Sequence, residues 1–582
     1  LPIQPIAAIE PPRWPEVARI DTPDLPGIQA PLRQRVFTTA LRVWFHRGAA
    51  PTSEQVVCEQ AEIDALLGDG FAQRLLMTAE TSSLRRYAPE LAALDGDPRP
   101  PTGDPVLDTR FSDIFLFEHT GVDLRTAVAA FQSSPAVAHV DVPSEGRSAN
   151  AAASGAWPQL SAFEKAVYDV AYKMIEENED YRYLNSGIKL LKAWDDLACG
   201  HGRSVFVVDS ACTFDRDDWQ PKRKLGAETT TSTAAVPDDH AKKVLAVLAG
   251  MFGGCVPLAG IAFSPITGQS VGTSRAKDSY AAIARVIHPG SKRLPGDVLN
   301  ISQGLAVDIV VPERVHDRGD LLVLGLATST LPLDMDDHYR RCFEELERVG
   351  VTVVLGAGNG LEALAVPLDL PLLETVAAIG RRNVGPLDLD KDLPDFPWGL
   401  KAKRTPTTSS AIVVGAGVRP DAKHQKWNAD ARTNRGSRID CFVEMPPQHL
   451  KYDGVNALGW GTSFCAPVIT GVATIVQELC ERHYKRVLRP RALRALLSDP
   501  ELGTRPDDGT AIGVMPDLSK LIAFLDPMKS STEIVQAIRD RRAAIEKISG
   551  QSHNPYAAIT RSPSKAIQEG DVFLAAPKRP RK

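Results

Sequence analysis

The stretch Gly461-Thr462-Ser463-Phe464-Cys465-Ala466-Pro467 runs into the apolar, small-residue segment from Val468 to Val476. This pattern reads as a serine at the mouth of a buried helix, preceded by small or polar residues that permit a tight approach. Pro467 is expected near enough to the helix start for its missing N–H to cost little. The helix dipole turns its positive end toward Ser463. A serine so placed can attack a carbonyl while neighbouring N–H groups face the oxyanion, provided that a base takes its proton. The same residues also fit a plain Ser/Thr N-cap on a core helix, so the chemistry depends on what lies upstream.

Three upstream positions can complete it. Ser204-Val205-Phe206-Val207-Val208-Asp209-Ser210 is a β-branched run ending in an acid, as a buried parallel strand requires. Asp209 at its carboxyl end stands where α/β sheets place their chemistry, although many such strands end in Asp simply as a cap. His240 opens Ala241-Lys242-Lys243-Val244-Leu245-Ala246-Val247-Leu248, a helix whose rigid start would leave one imidazole nitrogen for proton transfer; an ordinary capping His fits too. Val351 to Val354 forms a strand entering Leu355-Gly356-Ala357-Gly358-Asn359-Gly360, where Asn359 alone would read as a turn residue.

Together these segments resemble the subtilisin-like serine peptidases, in the order Asp, His, Ser. The resemblance covers about 185 to 525 and includes the entry segment Gly187 to Trp194 with Gly200-His201-Gly202. It extends through Ala411 to Ala416, Thr433 to Asp440, and the closing segments Pro490 to Leu497 and Gly513 to Leu521. It implies that Ser463 attacks, His240 moves the proton, Asp209 holds the imidazole and Asn359 donates to the oxyanion. Asp297-Val298-Leu299-Asn300-Ile301-Ser302-Gln303-Gly304 resembles the family strand that pairs with extended substrate, which makes Ser302, Gln303 and Gly304 substrate-binding by β-augmentation. Gly356, Ala357 and Gly358 are assigned to substrate binding in the same way. Ala211 and Ala241 stand where family members usually carry glycine. Those departures favour the rival reading, a catalytically inactive binding or regulatory protein on the subtilase fold.

The resemblance implies protein or peptide substrates, leaves room for a regulatory protein partner, and requires no cofactor. Many members bind calcium, for which Asp215, Asp217 and Asp218, or Asp334, Asp336 and Asp337, offer oxygens without EF-hand spacing. Gly268-Gln269-Ser270-Val271-Gly272 fits the G-x-S-x-G elbow of α/β-hydrolases, but no strand-to-helix switch surrounds it.

The elements that must position these groups follow from a chain of 582 residues, 43% hydrophobic and 24% charged. That length holds a full-sized core and several domains. A net charge of -5 gives no general attraction to nucleic acid or anionic membrane. Eight scattered cysteines form no metal or disulfide pattern, and the first residues carry no basic and apolar targeting pattern. These features point to a cytoplasmic protein. The expected fold class is α/β, a subtilisin-like parallel central sheet flanked by helices, preceded by an α+β propeptide-like unit and a small helical module.

In chain order, a Pro-rich arm spans 1–30. A helical module spans 31–95, with Val36, Phe37, Ala40, Leu41 and Trp44 on one face and a Thr52/Gln55 capping box before its second helix. A linker runs from Asp95 to Gly103. A β-α-β unit at 104–143 resembles the inhibitory propeptide of subtilases, and a linker at 144–184 carries an amphipathic helix from Leu160 to Ile175. The catalytic domain covers 185–525. The stripe Ile534, Ile538, Ile545 and Ile548 marks a C-terminal helix within 526–582, followed by the basic tail Lys578 to Lys582.

Overall fold

The computed structural model describes residues 32–34, 40–50, 55–57, 82–86, 108–119, 128, 131–141, 162–178, 181–210, 239–250, 254–266, 282–288, 291, 293–314, 321–360, 362–363, 386–390, 409–420, 427–447, 461–507, 509–549, 555–560 and 565–576. The Pro-rich arm at 1–30, the 95–103 linker, the G-x-S-x-G stretch, Ala211, the acidic group at 215–218 and the basic tail lie outside them.

The first described elements are strands: β1 (Leu32–Gln34), β2 (Ala40–Phe45), β3 (Gln55–Val57), β4 (Ser82–Arg86), β5 (Ile114–His119) and β6 (Val137–Asp141). Where residues 31–95 are described, they form strands and not the helices expected from sequence. Leu41 to Phe45 are all buried, so the spacing of Ala40, Leu41 and Trp44 marks a strand covered on both faces, not one stripe of a helix. Gln55 opens β3 instead of closing a capping box. The sheet order is β3-β4-β5-β2-β6, antiparallel throughout. β2 therefore lies between the two strands expected to form a β-α-β unit of their own, and the boundary placed between 95 and 104 divides a single sheet. Its core joins that of the rest of the chain through Trp44, Phe111, Ile114 and Leu116.

Helix α1 (Ala162–Glu177) matches the amphipathic stretch, with Ala171 and Ile175 buried. The central sheet then assembles from β7 (Ser204–Ser210), followed by α2 (Asp239–Ala249), β8 (Gly260–Ile266) and β9 (Val298–Ile301). Next comes a long antiparallel ribbon, β10 (Gly304–Arg314) with β11 (Leu321–Pro332). After it follow α3 (Asp337–Arg348), β12 (Thr352–Gly356), β13 (Glu362–Ala363), β14 (Ile412–Val418), β15 (Asn428–Ala429) and β16 (Cys441–Glu444). The main sheet runs β15-β14-β12-β9-β7-β8, with β16 also on β14; only the β14–β15 pair is antiparallel. The apolar strand runs follow from burial on both faces.

Helix α4 (Thr462–Tyr484) packs against β9, β12, β14, β16 and α2. It is the one helix among the described residues long and apolar enough to cross a membrane, but 94% of its apolar window is buried inside the protein, as in a core helix. Ile469, Val472 and Val476 are fully buried, each burial worth about 1.5–3 kcal/mol. Helices α5 (Pro490–Leu497) and α6 (Ser531–Ser549) follow, α6 burying Ile534 and Ile538.

The N-terminal sheet docks on the start of α3. Buried Arg42 donates to Asp336 at 3.0 Å, His139 pairs with Asp337 at 3.1 Å, and Trp44 and Phe111 meet the ring of buried His338 edge-on. Asp336 also caps α3 through the His338 and Tyr339 N–H groups, while Asp334 pairs with Arg438. The acids considered for calcium at 334–337 thus serve cations and amides of the chain itself.

Candidate active site

Strand β7 carries Asp209 near its carboxyl end, fully buried. Helix α2 begins at Asp239 and presents His240, whose Nδ1 lies 2.8 and 3.0 Å from the two carboxylate oxygens of Asp209. A carboxylate on Nδ1 fixes the tautomer, leaving Nε2 to exchange a proton. The His240 side chain keeps 29% of its surface while Asp209 keeps none, so the imidazole is the solvent-facing end of the pair. Its ring packs at 5.6 Å between centroids on Phe464, the residue that follows Ser463.

Ser463 is half-buried, whereas every other residue from Gly461 to Cys480 is buried. The serine is therefore the most exposed point of the first five turns of this core helix. Its Oγ donates to the Ser302 carbonyl at 3.3 Å, and Ser302 Oγ donates back to the Ser463 carbonyl at 2.8 Å. Gln303 is buried beside Ser302, and Gly304 is the first residue of β10. The three residues expected at a substrate edge thus span the step from β9 into the ribbon, with Ser302 against the serine.

Asn359 lies just beyond β12. Its Oδ1 accepts from the Thr462 N–H at 2.8 Å and from Thr462 Oγ1 at 3.1 Å. With the oxygen so engaged, the amide nitrogen is turned toward Gly461: a Cβ on that glycine, at φ 143°, would stand 3.1 Å from it. Gly461 thereby leaves room beside the amide donor that an oxyanion would use. The positive φ of this turn falls at Gly358, not Asn359. A Cβ on Gly358 would collide with the Thr330 carbonyl at 2.0 Å, so glycine is required there.

Backbone groups at 357–358 are spent inside the chain. The Ala357 N–H donates to Val414, its carbonyl accepts from Asn434 Nδ2, and the Gly358 N–H donates to Thr462 Oγ1 at 3.2 Å. Gly356 pairs with Val414 in the sheet. In this structure Gly356, Ala357 and Gly358 hold the Asn359 turn against α4.

Four further residues build the site. Thr462 orients the Asn359 amide. Thr330 accepts the Asn359 N–H at 2.8 Å and returns its own N–H to the Asn359 carbonyl at 3.1 Å. Asn434 Nδ2 bridges the carbonyls of Thr330 and Ala357, and Asn300 donates to Ser302 Oγ at 3.0 Å. Thr462, Asn434 and Asn300 sit inside the motifs read from sequence, which flagged the segments without assigning these side chains work. Thr330 had no signal, because it lies in β11, within the unmarked run that follows Gly304.

No family model matches the chain, and no curated protein matches it. Among solved structures it is similar to the prenylagaramide maturation protease PagA, at 14% identity over 58% of this chain and 99% of that one, with a TM-score of 0.33. It is also similar to the MycP3 protease from the type VII (ESX-3) secretion system, at 17% identity over 65% and 93%, TM-score 0.34. The epidermin leader peptide processing serine protease EpiP from Staphylococcus aureus overlaps 84% of this chain and 98% of its own, at 13% identity and TM-score 0.41.

Proposed function

We propose that the chain is a serine endopeptidase of the subtilisin-like class. The observation that carries this reading is the convergence at the start of α4: Ser463 is the one residue from Gly461 to Cys480 that is not buried, and the next residue, Phe464, packs on an imidazole that a buried carboxylate holds by Nδ1. In the reaction, Ser463 Oγ attacks the scissile carbonyl as His240 Nε2 takes its proton, and Asp209 stabilises the imidazolium. The oxyanion is received by Asn359 Nδ2 and the Ser463 N–H. His240 then gives its proton to the leaving amine, and water, deprotonated by the same imidazole, releases the acyl group and regenerates Ser463.

Extended peptide is read as pairing along Ser302, Gln303 and Gly304, with Gly356, Ala357 and Gly358 as the scaffold beneath the oxyanion donor. The six described cysteines are free and buried, which fits the cytoplasmic setting assigned here. The N-terminal sheet, docked on α3, is read as restraining the site until a cleavage or a partner displaces it. The test is peptide hydrolysis by the purified chain and by Ser463→Ala. Loss of turnover with an unchanged melting curve supports the reading; wild-type turnover without the hydroxyl ends it.

A further inference from the structure

We propose that Ser302 is a positioning residue for the nucleophile, supplying the hydrogen bond that Pro467 withholds from the Ser463 carbonyl. This rests on Ser463 being the nucleophile. In an α-helix the N–H of residue 467 would donate to the carbonyl of 463. Proline has no N–H, and Pro467 is the sixth residue of α4. It therefore lies past the turn in which such a loss is free, contrary to the expectation from sequence. Ser302 Oγ donates to that same carbonyl at 2.8 Å.

The replacement is itself held in place. A serine hydroxyl has one proton; Ser302 gives it to the Ser463 carbonyl and accepts from Asn300 Nδ2 at 3.0 Å. Asn300 can only present its nitrogen there if its oxygen faces the other way, and Oδ1 accepts from Thr470 Oγ1 at 3.1 Å. Asn300 and Thr470 are fully buried and Ser302 nearly so. Thr470 Oγ1 divides its one proton between Asn300 Oδ1 and the Ala466 carbonyl at 2.9 Å, and the contacts run from the third turn of α4, through β9, back to its first turn. The Ser302 carbonyl meanwhile faces Ser463 Oγ at 3.3 Å, so residue 302 grips residue 463 at both its carbonyl and its hydroxyl. The direction of the Ser463 N–H and the reach of its Oγ are tied to the central sheet as well as to the helix.

Because Pro467 creates the need that Ser302 meets, the pair can be tested by restoring the helical donor. We would measure kcat and KM on one peptide substrate, with active sites counted by a fluorophosphonate so that unfolded protein is excluded, for wild type, Ser302→Ala, Ser302→Thr, Pro467→Ala and the Ser302→Ala/Pro467→Ala double variant. Ser302→Ala is expected to lose roughly 10- to 100-fold in kcat, as displaced nucleophiles do, with KM unchanged. Ser302→Thr should keep most of the activity. The double variant should regain at least about tenfold over Ser302→Ala, since replacing the proline restores the missing N–H. If Ser302→Ala does not fold, Ser302→Cys, a weak donor, takes its place. A double variant no faster than the single one, or an effect confined to KM, overturns the proposal while leaving the peptidase reading intact. A wild type that neither cleaves peptide nor labels at Ser463 removes that reading and this inference with it.

Discussion

Thr462 offers a sharp perturbation because a single hydroxyl serves two partners. Its Oγ1 donates to Asn359 Oδ1 at 3.1 Å and accepts the Gly358 N–H at 3.2 Å, while its own N–H holds Asn359 Oδ1 at 2.8 Å. Thr462→Val keeps the shape and deletes the hydroxyl. One net hydrogen bond is lost and a buried Gly358 N–H is left without its acceptor, which together cost about 2–4 kcal/mol of stability. For catalysis, losing a whole oxyanion donor costs about 10²–10³ in kcat. The Thr462 N–H still steers the Asn359 amide, so the variant should lose only part of that, about 3- to 30-fold in kcat with KM unchanged. Urea unfolding with steady-state kinetics on a chromogenic peptide measures both quantities, and Thr462→Ser should restore both. If stability falls as worked out but kcat does not move, the hydroxyl merely props the turn and Asn359 is not aimed by it.

Two other outcomes are expected. Asn359→Ala should lower kcat by about 10²- to 10³-fold with KM little changed, a magnitude established on a subtilisin and carried over here; a change in KM alone would mark Asn359 as a turn residue. Burial, then Arg42 and Arg341, hold His338 well below the ordinary imidazole value of 6.5, so the folded protein binds fewer protons there than the unfolded chain and this contribution is present above pH 6.5 and lost as pH falls below it. Melting temperature should therefore drop toward pH 5 more steeply in wild type than in His338→Phe, and equal slopes would show that this histidine does not govern acid sensitivity.

The parts of the fold legible in the sequence are those in which one physical demand dominates. The Val-rich run before Asp209 needs two covered faces, and β7 spans Ser204–Ser210 as read. The apolar run after Ser463 is helical from Thr462, and α5 occupies the expected Pro490–Leu497. Around Leu41 to Phe45, by contrast, every residue is buried, Arg42 included, and a segment buried on all sides carries no period to separate strand from helix. Arg42 hid there because its charge is answered by Asp336, 294 positions away. The site divides likewise: chemical identity marked Asp209, His240, Ser463 and Asn359, whereas Thr330 and Thr470 act through partners that only the tertiary fold brings near.

The central claim is that Ser463 is a nucleophile activated by His240 and Asp209. Its most direct test is the rate of covalent labelling of the purified chain by a fluorophosphonate, with the adduct mapped by peptide mass spectrometry. One adduct is expected, on Ser463, formed far more slowly in His240→Ala and Asp209→Ala. No adduct on Ser463, or an adduct formed equally fast without His240, would contradict it.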